Sequence, residues 1–451
     1  MDGEPLPQTL LFLFSEAASE VKLHDRVSVL SHYDADGISA AGILCAALLR
    51  ANKKVHVTLV KSLEDETIKE VASGSKCLIV SDMGSSNLPA LEALSAKVIV
   101  LDHHKPVGDS QKVMHVNPHL FGIDGMTSAC AGSLAQLFAV AMDERNWDLL
   151  PTAFAGITGD RQHIRGLSGL NAYLLENGVK RGIVEVRQGS LLPSGKLVDE
   201  LADCVDPYLI GVTGDREGAA SLLGEAKVPP EARLEDLTEN QKRMLSSLVA
   251  LRLLKQGCTI SAMEELITDR YYFKSVNRYA EDLAQLLNAC GRTDQEGVGV
   301  SLVLGDEAAM KKAELLRRQY KDAIVVAMRA LIEKGVNRMS NIQWFESTNT
   351  SLSGVLAGLT MQFVGDCDKP TITIAFHQDK VRVSSRASFR ILEKGVDLAA
   401  ALREAAQAVG GVGGGHAVAA GATVPKGREN EFLQKLDAIV GEQKAKKSPA
   451  T

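Results

Sequence analysis

Short apolar runs at residues 27–30, 55–60, 77–80 and 98–101 alternate with helix-forming segments at 38–49, 64–72 and 88–94. Alternation of strand and helix leaves little choice but a parallel sheet, because each crossover helix returns the chain to the same edge. The runs Leu78-Ile79-Val80 and Val98-Ile99-Val100-Leu101 lack polar alternation, as expected when helices cover both faces of the sheet. The fold class is therefore α/β with a doubly wound parallel sheet. In such sheets, ligands bind in the crevice beyond the carboxyl ends of the strands. Acidic and imidazole groups follow three of the runs directly.

After the first run comes His32-Tyr33-Asp34-Ala35-Asp36-Gly37. If this segment is extended, His32, Asp34 and Asp36 point the same way, and Gly37 lets the backbone turn. The bland alternative is a helix N-cap, a role that one of these aspartates can combine with ligation. Asp82 follows the third run, where a lone aspartate is often only a turn residue. Asp102-His103-His104 follows the fourth, and two adjacent histidines there suit a metal ligand whose ring is oriented by a nearby carboxylate. Asp160 follows Gly156-Ile157-Thr158-Gly159, beyond a helical pattern at 149–157, and reads either as a turn residue or as a further ligand. Carboxylates and imidazoles converging on one crevice form the ligand set of a two-metal site that holds a phosphate. Oxygen and nitrogen donors without a nearby cysteine favour Mn2+ or Mg2+ over structural zinc.

The chain has 451 residues, too many for a single core. Its net charge of −6 requires any nucleic-acid contact to come from a local basic surface. Seven cysteines without a CxxC pair suit reduced thiols and a cytoplasmic protein. The apolar stretch 10–14 is too short to span a membrane, so no membrane partner is expected. Residues 191–268 read as a mostly helical connector, with four prolines between 192 and 235 and an amphipathic helix at 237–254. A second α/β pattern follows: helix 280–289, strand 298–304, helix 308–334, strands 371–376 and 380–384, and helix 398–409. Residues 443–451 are expected to be a disordered tail.

The motifs around Asp34, Asp82, Asp102 to His104 and Asp160, in that order, resemble the DHH phosphoesterase family. Val409-Gly410-Gly411-Val412-Gly413-Gly414-Gly415-His416, preceded by Ser384-Ser385-Arg386, is similar to the signature of the DHH-associated C-terminal domain. A glycine-rich loop before a helix presents backbone N–H groups to an anion; the alternative is a flexible linker. Chain size and Asn288-Ala289-Cys290-Gly291-Arg292 look most like archaeal RecJ-like nucleases, including the GINS-associated nuclease. No segment resembles the extra OB-fold of bacterial RecJ.

The resemblance implies a catalytic domain at 1–190, the connector at 191–268 and a smaller substrate-binding α/β domain at 269–442, with the active-site cleft between the domains. It implies two Mn2+ or Mg2+ ions held by His32, Asp34, Asp36, Asp82, His103 and Asp160, with Asp82 bridging. His104 would act at the scissile phosphate, Asp102 would orient the imidazoles, and Asp36 is counted among the catalytic groups. Ser384, Arg386, Gly413, Gly414, Gly415 and His416 would hold substrate. The implied activity is exonucleolytic release of mononucleotides from single-stranded DNA or RNA in replication or repair, with GINS and the replicative helicase as partners. The alternatives are a nanoRNase or cyclic-dinucleotide phosphodiesterase, and a GINS-binding replication scaffold.

Overall fold

A computed structural model describes residues 6–447; residues 448–451, expected to be tail, lie outside the described residues. The alternating N-terminal pattern folds into β1 (Arg26–His32), β2 (Lys54–Val60), β3 (Cys77–Ser81), β4 (Lys97–Leu101) and β5 (Met114–Val116). These form one sheet in the order β2-β1-β3-β4-β5, parallel throughout. Successive residues of each strand enter different cores. Val27, Val29, Ile79 and Ile99 pack with α1 (Gln8–Lys22), α2 (Ala35–Arg50), α5 (Ala131–Met142) and α6 (Leu150–Gly159). Leu30, Leu78, Val80, Val98 and Val100 pack on the opposite side with α3 (Asp65–Ala72) and α4 (Leu88–Glu92). Burial on both faces is what forbids polar alternation in β3 and β4. Helix α2 is buried from Ala35 to Leu48, which its run of alanine, glycine and leucine permits on every side.

The backbone divides into two compact units, residues 1–189 with 268–320 and residues 190–267 with 321–451. The segment 268–320, expected to open the second domain, thus folds into the first. There β6 (Glu185–Arg187) pairs with β7 (Arg270–Phe273), which pairs with β8 (Arg278–Tyr279). Of residues 298–304, expected as a strand, 298–303 lie in the helix Glu296–Val303 and Leu304 is its C-cap. Tertiary packing overrides the β-preference of its valines: the absent side chain of Gly299 makes room for Ile38, and Val303 packs on Gly42 of α2.

In the second unit the connector is helical, including Glu239–Lys255. Strands β9 (Asn337–Arg338), β10 (Gln343–Glu346), β11 (Thr371–His377), β12 (Lys380–Arg386), β13 (Val412–Gly415) and β14 (Ala419–Pro425) form a mixed sheet in the order β13-β14-β12-β11-β10-β9. The helices Leu398–Ala408 and Glu429–Lys447 cover one face through Leu402, Phe432 and Leu436. The second helix carries residues 443–447, so that part of the expected tail is ordered by a helix anchored at Phe432, Leu433, Leu436 and Val440. Among the described residues no helix is long and apolar enough to cross a membrane.

Candidate metal centre

Strand register brings the first three motifs to one level. Ser31 of β1 lies opposite Ser81 of β3, which lies opposite Leu101 of β4. The next residues, His32, Asp82 and Asp102, therefore leave the same edge of the sheet. Ser31 and Ser81 tie this edge together with Oγ atoms 2.8 Å apart.

Asp34 combines the two roles open to it. Its Oδ1 accepts the Gly37 N–H at 3.2 Å and caps α2, while its Oδ2 lies 3.0 Å from His32 Nδ1. Burial pushes the Asp34 carboxyl up, but His32 and then Arg292 outweigh it and hold it below the usual carboxylate range. Asp36 does not continue an extended segment, because helix α2 starts at Ala35. It reaches the centre from the first helical turn and turns its carboxylate to the N-terminus of α5, accepting from Ala131 N at 2.7 Å and Gly132 N at 2.8 Å. The helix dipole and these two donors stabilise the anion. Even so, burial at 1% exposure and the neighbouring Asp82 raise its pKa to about 6. Gly156 is required here, since a Cβ at that position would lie 2.3 Å from Asp36 Oδ1.

Asp82 is 4% exposed and has φ of +59°, a left-handed conformation that aspartate tolerates better than most residues. One carboxylate oxygen lies 3.4 Å from His32 Nδ1 and the other 3.2 Å from His103 Nε2. His103 donates from Nδ1 to the Gly125 carbonyl at 2.7 Å, which leaves Nε2 as the atom turned to the carboxylates. That nitrogen is 3.5 Å from Asp160 Oδ2 and 3.8 Å from Asp36 Oδ2. Burial lowers the His103 pKa, yet Asp82, Asp160 and Asp36 together raise it well above the ordinary value. Asp160 caps the end of α6, and burial followed by Asp36 pushes its carboxyl up.

Asp102 faces the other way. Its Oδ1 accepts the His104 backbone N–H at 3.1 Å and lies 2.7 Å from His104 Nδ1, and its Oδ2 accepts the Ser85 N–H at 2.9 Å. His104 keeps 35% of its side chain exposed. Asn117 steadies the turn by donating to the His104 carbonyl at 2.8 Å.

Three overlapping groups have ligand atoms within 4.8 Å of one another: His32, Asp34 and Asp82; Asp82, His103 and His104; and Asp36, His103 and Asp160. All donors are oxygen or imidazole nitrogen, which fits hard or borderline divalent cations. Buried carboxylates with raised pKa values are the sign of uncompensated negative charge, and a cation there would reverse the effect. All six expected ligands meet at this edge. The second unit holds the remaining expected residues. Arg386 ends β12 and donates from Nη1 to the Ser385 carbonyl at 2.8 Å. Ser384 pairs with Gly421 of β14. The glycine run is not a loop before a helix: Gly413, Gly414 and Gly415 lie in edge strand β13, paired to Ala422, Gly421 and Ala420. His416 starts the tight turn into β14, its N–H donating to the Ala419 carbonyl at 2.8 Å. A Cβ on Gly414 would meet nothing within 4 Å, whereas one on Gly413 would lie 2.7 Å from the Leu402 carbonyl.

Other contributors escaped the sequence reading. The Cys130 thiol, a hydrogen-bonding neighbour of Asp36, corrects the expectation of no nearby cysteine; burial and Asp36 push its pKa well above the ordinary thiol value. Asn288 Oδ1 accepts the Ala35 N–H at 3.2 Å, and Arg292 donates to the Tyr33 hydroxyl and acts on Asp34. In the sequence only the family resemblance of their run marks them; helical spacing of four puts both on one face, but nothing in the sequence ties that face to α2.

Fold and site together define a protein with the RecJ-like fold of the DHH phosphoesterases. Residues 26–158 match the model of the DHH family N-terminal domain, and residues 346–442 match the DHHA1 domain. The chain belongs to the DHH family. It is 30% identical over 427 residues to an uncharacterized protein of Methanocaldococcus jannaschii, covering 92% of this chain and 94% of that one. It is 27% identical over 272 residues to the single-stranded-DNA-specific exonuclease RecJ of Thermus thermophilus, covering 56% of this chain and 39% of RecJ. The crystal structure of that RecJ with Mn2+ matches with a TM-score of 0.61 at 19% identity, over 97% of this chain and 56% of the other. CDC45 from Entamoeba histolytica matches with a TM-score of 0.63 at 12% identity, over 96% and 99% of the two chains.

Proposed function

We propose that this protein hydrolyses phosphodiester bonds with two bound divalent cations, Mn2+ or Mg2+, and acts as an exonuclease that releases mononucleotides from single-stranded DNA or RNA. The observation that carries this reading is the meeting of His32, Asp34, Asp36, Asp82, His103 and Asp160 at one edge of the sheet. When bound, the cations would lower the pKa of a water and offset charge on the phosphate. Asp82 and His103 are each shared by two of the three ligand groups; His103 has one ring nitrogen committed to the Gly125 carbonyl, whereas both oxygens of Asp82 face the centre, so Asp82 is the residue that would hold both ions. Gly125 fixes His103, and the N-terminus of α5 fixes Asp36, so both enter the reaction already oriented. Asp102 holds His104, whose partly exposed ring donates to a phosphoryl oxygen as charge builds on it. Arg386 offers a planar fork to a phosphate, while Ser384, the open face of Gly414 with its neighbours Gly413 and Gly415, and His416 hold the terminal nucleotide.

The likeness of part of the chain to a single-stranded-DNA-specific exonuclease supports the substrate class, and the filled ligand positions favour catalysis over a docking role alone. The same reading makes the protein cytoplasmic, with GINS and the replicative helicase as partners; affinity purification from native lysate that recovers no GINS subunit removes that partnership. The activity is tested with purified protein, Mn2+ and end-labelled DNA and RNA strands. Shortening by the wild type and none by Asp34→Ala is the expected result. No shortening of any strand, or equal rates for the two proteins, would sink the proposal, and faster turnover of di- to pentanucleotides than of long strands would favour the small-oligonucleotide alternative.

A further inference from the structure

Positive charge gathers at the end of the second unit's sheet where Arg386 lies. Register defines that end: Arg386 closes β12 opposite Thr371, the first residue of β11, and Thr371 lies opposite Gln343, the first residue of β10. Lys369 lies just before β11. The helix Phe389–Glu393 follows β12 and brings Arg390 and, at its C-cap, Lys394. Lys444 comes from the end of the helix Glu429–Lys447.

These side chains converge on a small area. Lys369 Nζ donates to the Met339 carbonyl at 2.6 Å, and Lys444 Nζ to the Asn341 carbonyl at 3.3 Å, both in the connection between β9 and β10. Lys394 Nζ and Arg390 Nε lie 2.8 Å and 3.5 Å from the same oxygen of Asp368. Four cations thus stand against three carboxylates, Asp366, Asp368 and Asp437, the last accepting the Asn341 and Ile342 N–H groups at 2.7 and 3.0 Å in that same connection. Burial lowers the Lys444 pKa, and Lys394 and Lys369 lower it further despite Asp366 and Asp368, so the ammonium groups remain under mutual repulsion. Asp366, Cys367 and Asp368 are close enough together to suggest a cation site, but the surrounding positive charge opposes one. The imbalance favours an anion.

We propose that Lys369, Arg390, Lys394 and Lys444 form a second phosphate-binding track, which takes successive phosphates of a single nucleic-acid strand beyond the nucleotide held at Arg386. This rests on the reading of the protein as a nuclease acting on single strands. The charges come from three separate segments, which suits a run of phosphates better than one compact anion. Lysines dominate, and as flexible point charges they contact the backbone without reading sequence.

The test is binding of a long fluorescent single strand in EDTA over a range of salt, so that no cleavage occurs, for the wild type and a Lys369→Gln/Lys394→Gln/Lys444→Gln variant. The expected result is at least roughly a tenfold loss of affinity at low salt and a log–log salt slope smaller by about 2, at ~0.7 per phosphate contact. Hydrolysis of a dinucleotide with Mn2+ should stay at the wild-type rate. Asp368→Asn, which removes negative charge from the patch, should tighten strand binding. Wild-type affinity and slope in the triple variant overturn the track. If the triple variant does not fold, Asp368→Asn decides, and unchanged or weaker binding overturns it. A wild type that with Mn2+ shortens neither the long strand nor the dinucleotide defeats the nuclease reading instead, while strand binding still decides the track.

Discussion

The sheet edge of the first unit and the glycine strand of the second solve opposite problems. At the first, charged side chains are taken out of water and packed against one another: Asp36, Asp82 and His103 are almost wholly buried and lie within 4 Å of a common imidazole nitrogen or bear it. At the second, side chains are removed, so that the backbone and open face of Gly414 lie on an edge strand two residues before His416, with β14 between that strand and the β12 strand of Arg386. Buried like charges are unstable unless something of opposite sign joins them, whereas an exposed glycine strand is stable as it stands. The first region should therefore respond to divalent cations in its stability as well as its activity, and the second should not.

The largest effect is expected at Asp82. Its two oxygens join the His32 side of the centre to the His103 side, so Asp82→Ala removes the link between the ligand groups. We expect kcat to fall by on the order of a thousandfold or more, and the rise in melting temperature that Mn2+ gives the wild type to disappear. The check is a pair of measurements, turnover of a labelled strand and thermal unfolding with and without Mn2+. A variant that keeps its Mn2+-dependent stabilisation would break the contrast between the two regions, because the buried charge would then not be what the cation compensates.

A smaller effect tests the packing that holds the carboxylates in place. In Gly156→Ala the new methyl would fall 2.3 Å from Asp36 Oδ1, so helix α6 or the carboxylate must move. Overpacking of this kind costs about 1–3 kcal/mol, read by denaturant unfolding. Displacing Asp36 should also weaken the response to Mn2+. Loss of stability with an unchanged Mn2+ response would show that Asp36 is structural.

The first unit was the more legible of the two, for a physical reason. Parallel strands buried on both faces leave unbroken apolar runs, and their ends must share one edge, so the order of motifs in the chain became proximity in space. The strand positions around Val29, Ile79 and Ile99 and the meeting of Asp82 with His103 followed from that. What could not be read was the route of each side chain. Asp36 reaches the centre from a helical turn and is held by amides of α5, nearly a hundred residues later in the chain, a contact no local pattern encodes. Residues 298–304 misled because valine-rich runs satisfy strand and buried-helix patterns alike, and only their packing against Ile38 and Gly42 selects the helix. The glycine run misled in the other direction: glycine weakens strands by propensity, yet pairing to β14 along its length keeps β13 extended.

The smallest effect is expected at Arg386, and it separates charge from geometry in the second region. Arg386→Lys keeps the positive charge but replaces a planar fork of donors with a single ammonium group, which cannot hold a phosphate through two parallel bonds. Arg386 also fits closely against Gly354, where a Cβ would lie 2.7 Å from its Nη2, so the shorter donor array of lysine fits without a clash. We expect KM for a single strand to rise by about tenfold, equivalent to about 1.4 kcal/mol, with kcat close to that of the wild type and the Mn2+-dependent rise in melting temperature intact. A fall in kcat at unchanged KM would instead give Arg386 a role at the reacting phosphate. Loss of the Mn2+ response would tie the glycine region to the buried carboxylates, and the separation of the two regions into a buried charged centre and an exposed backbone surface would no longer hold.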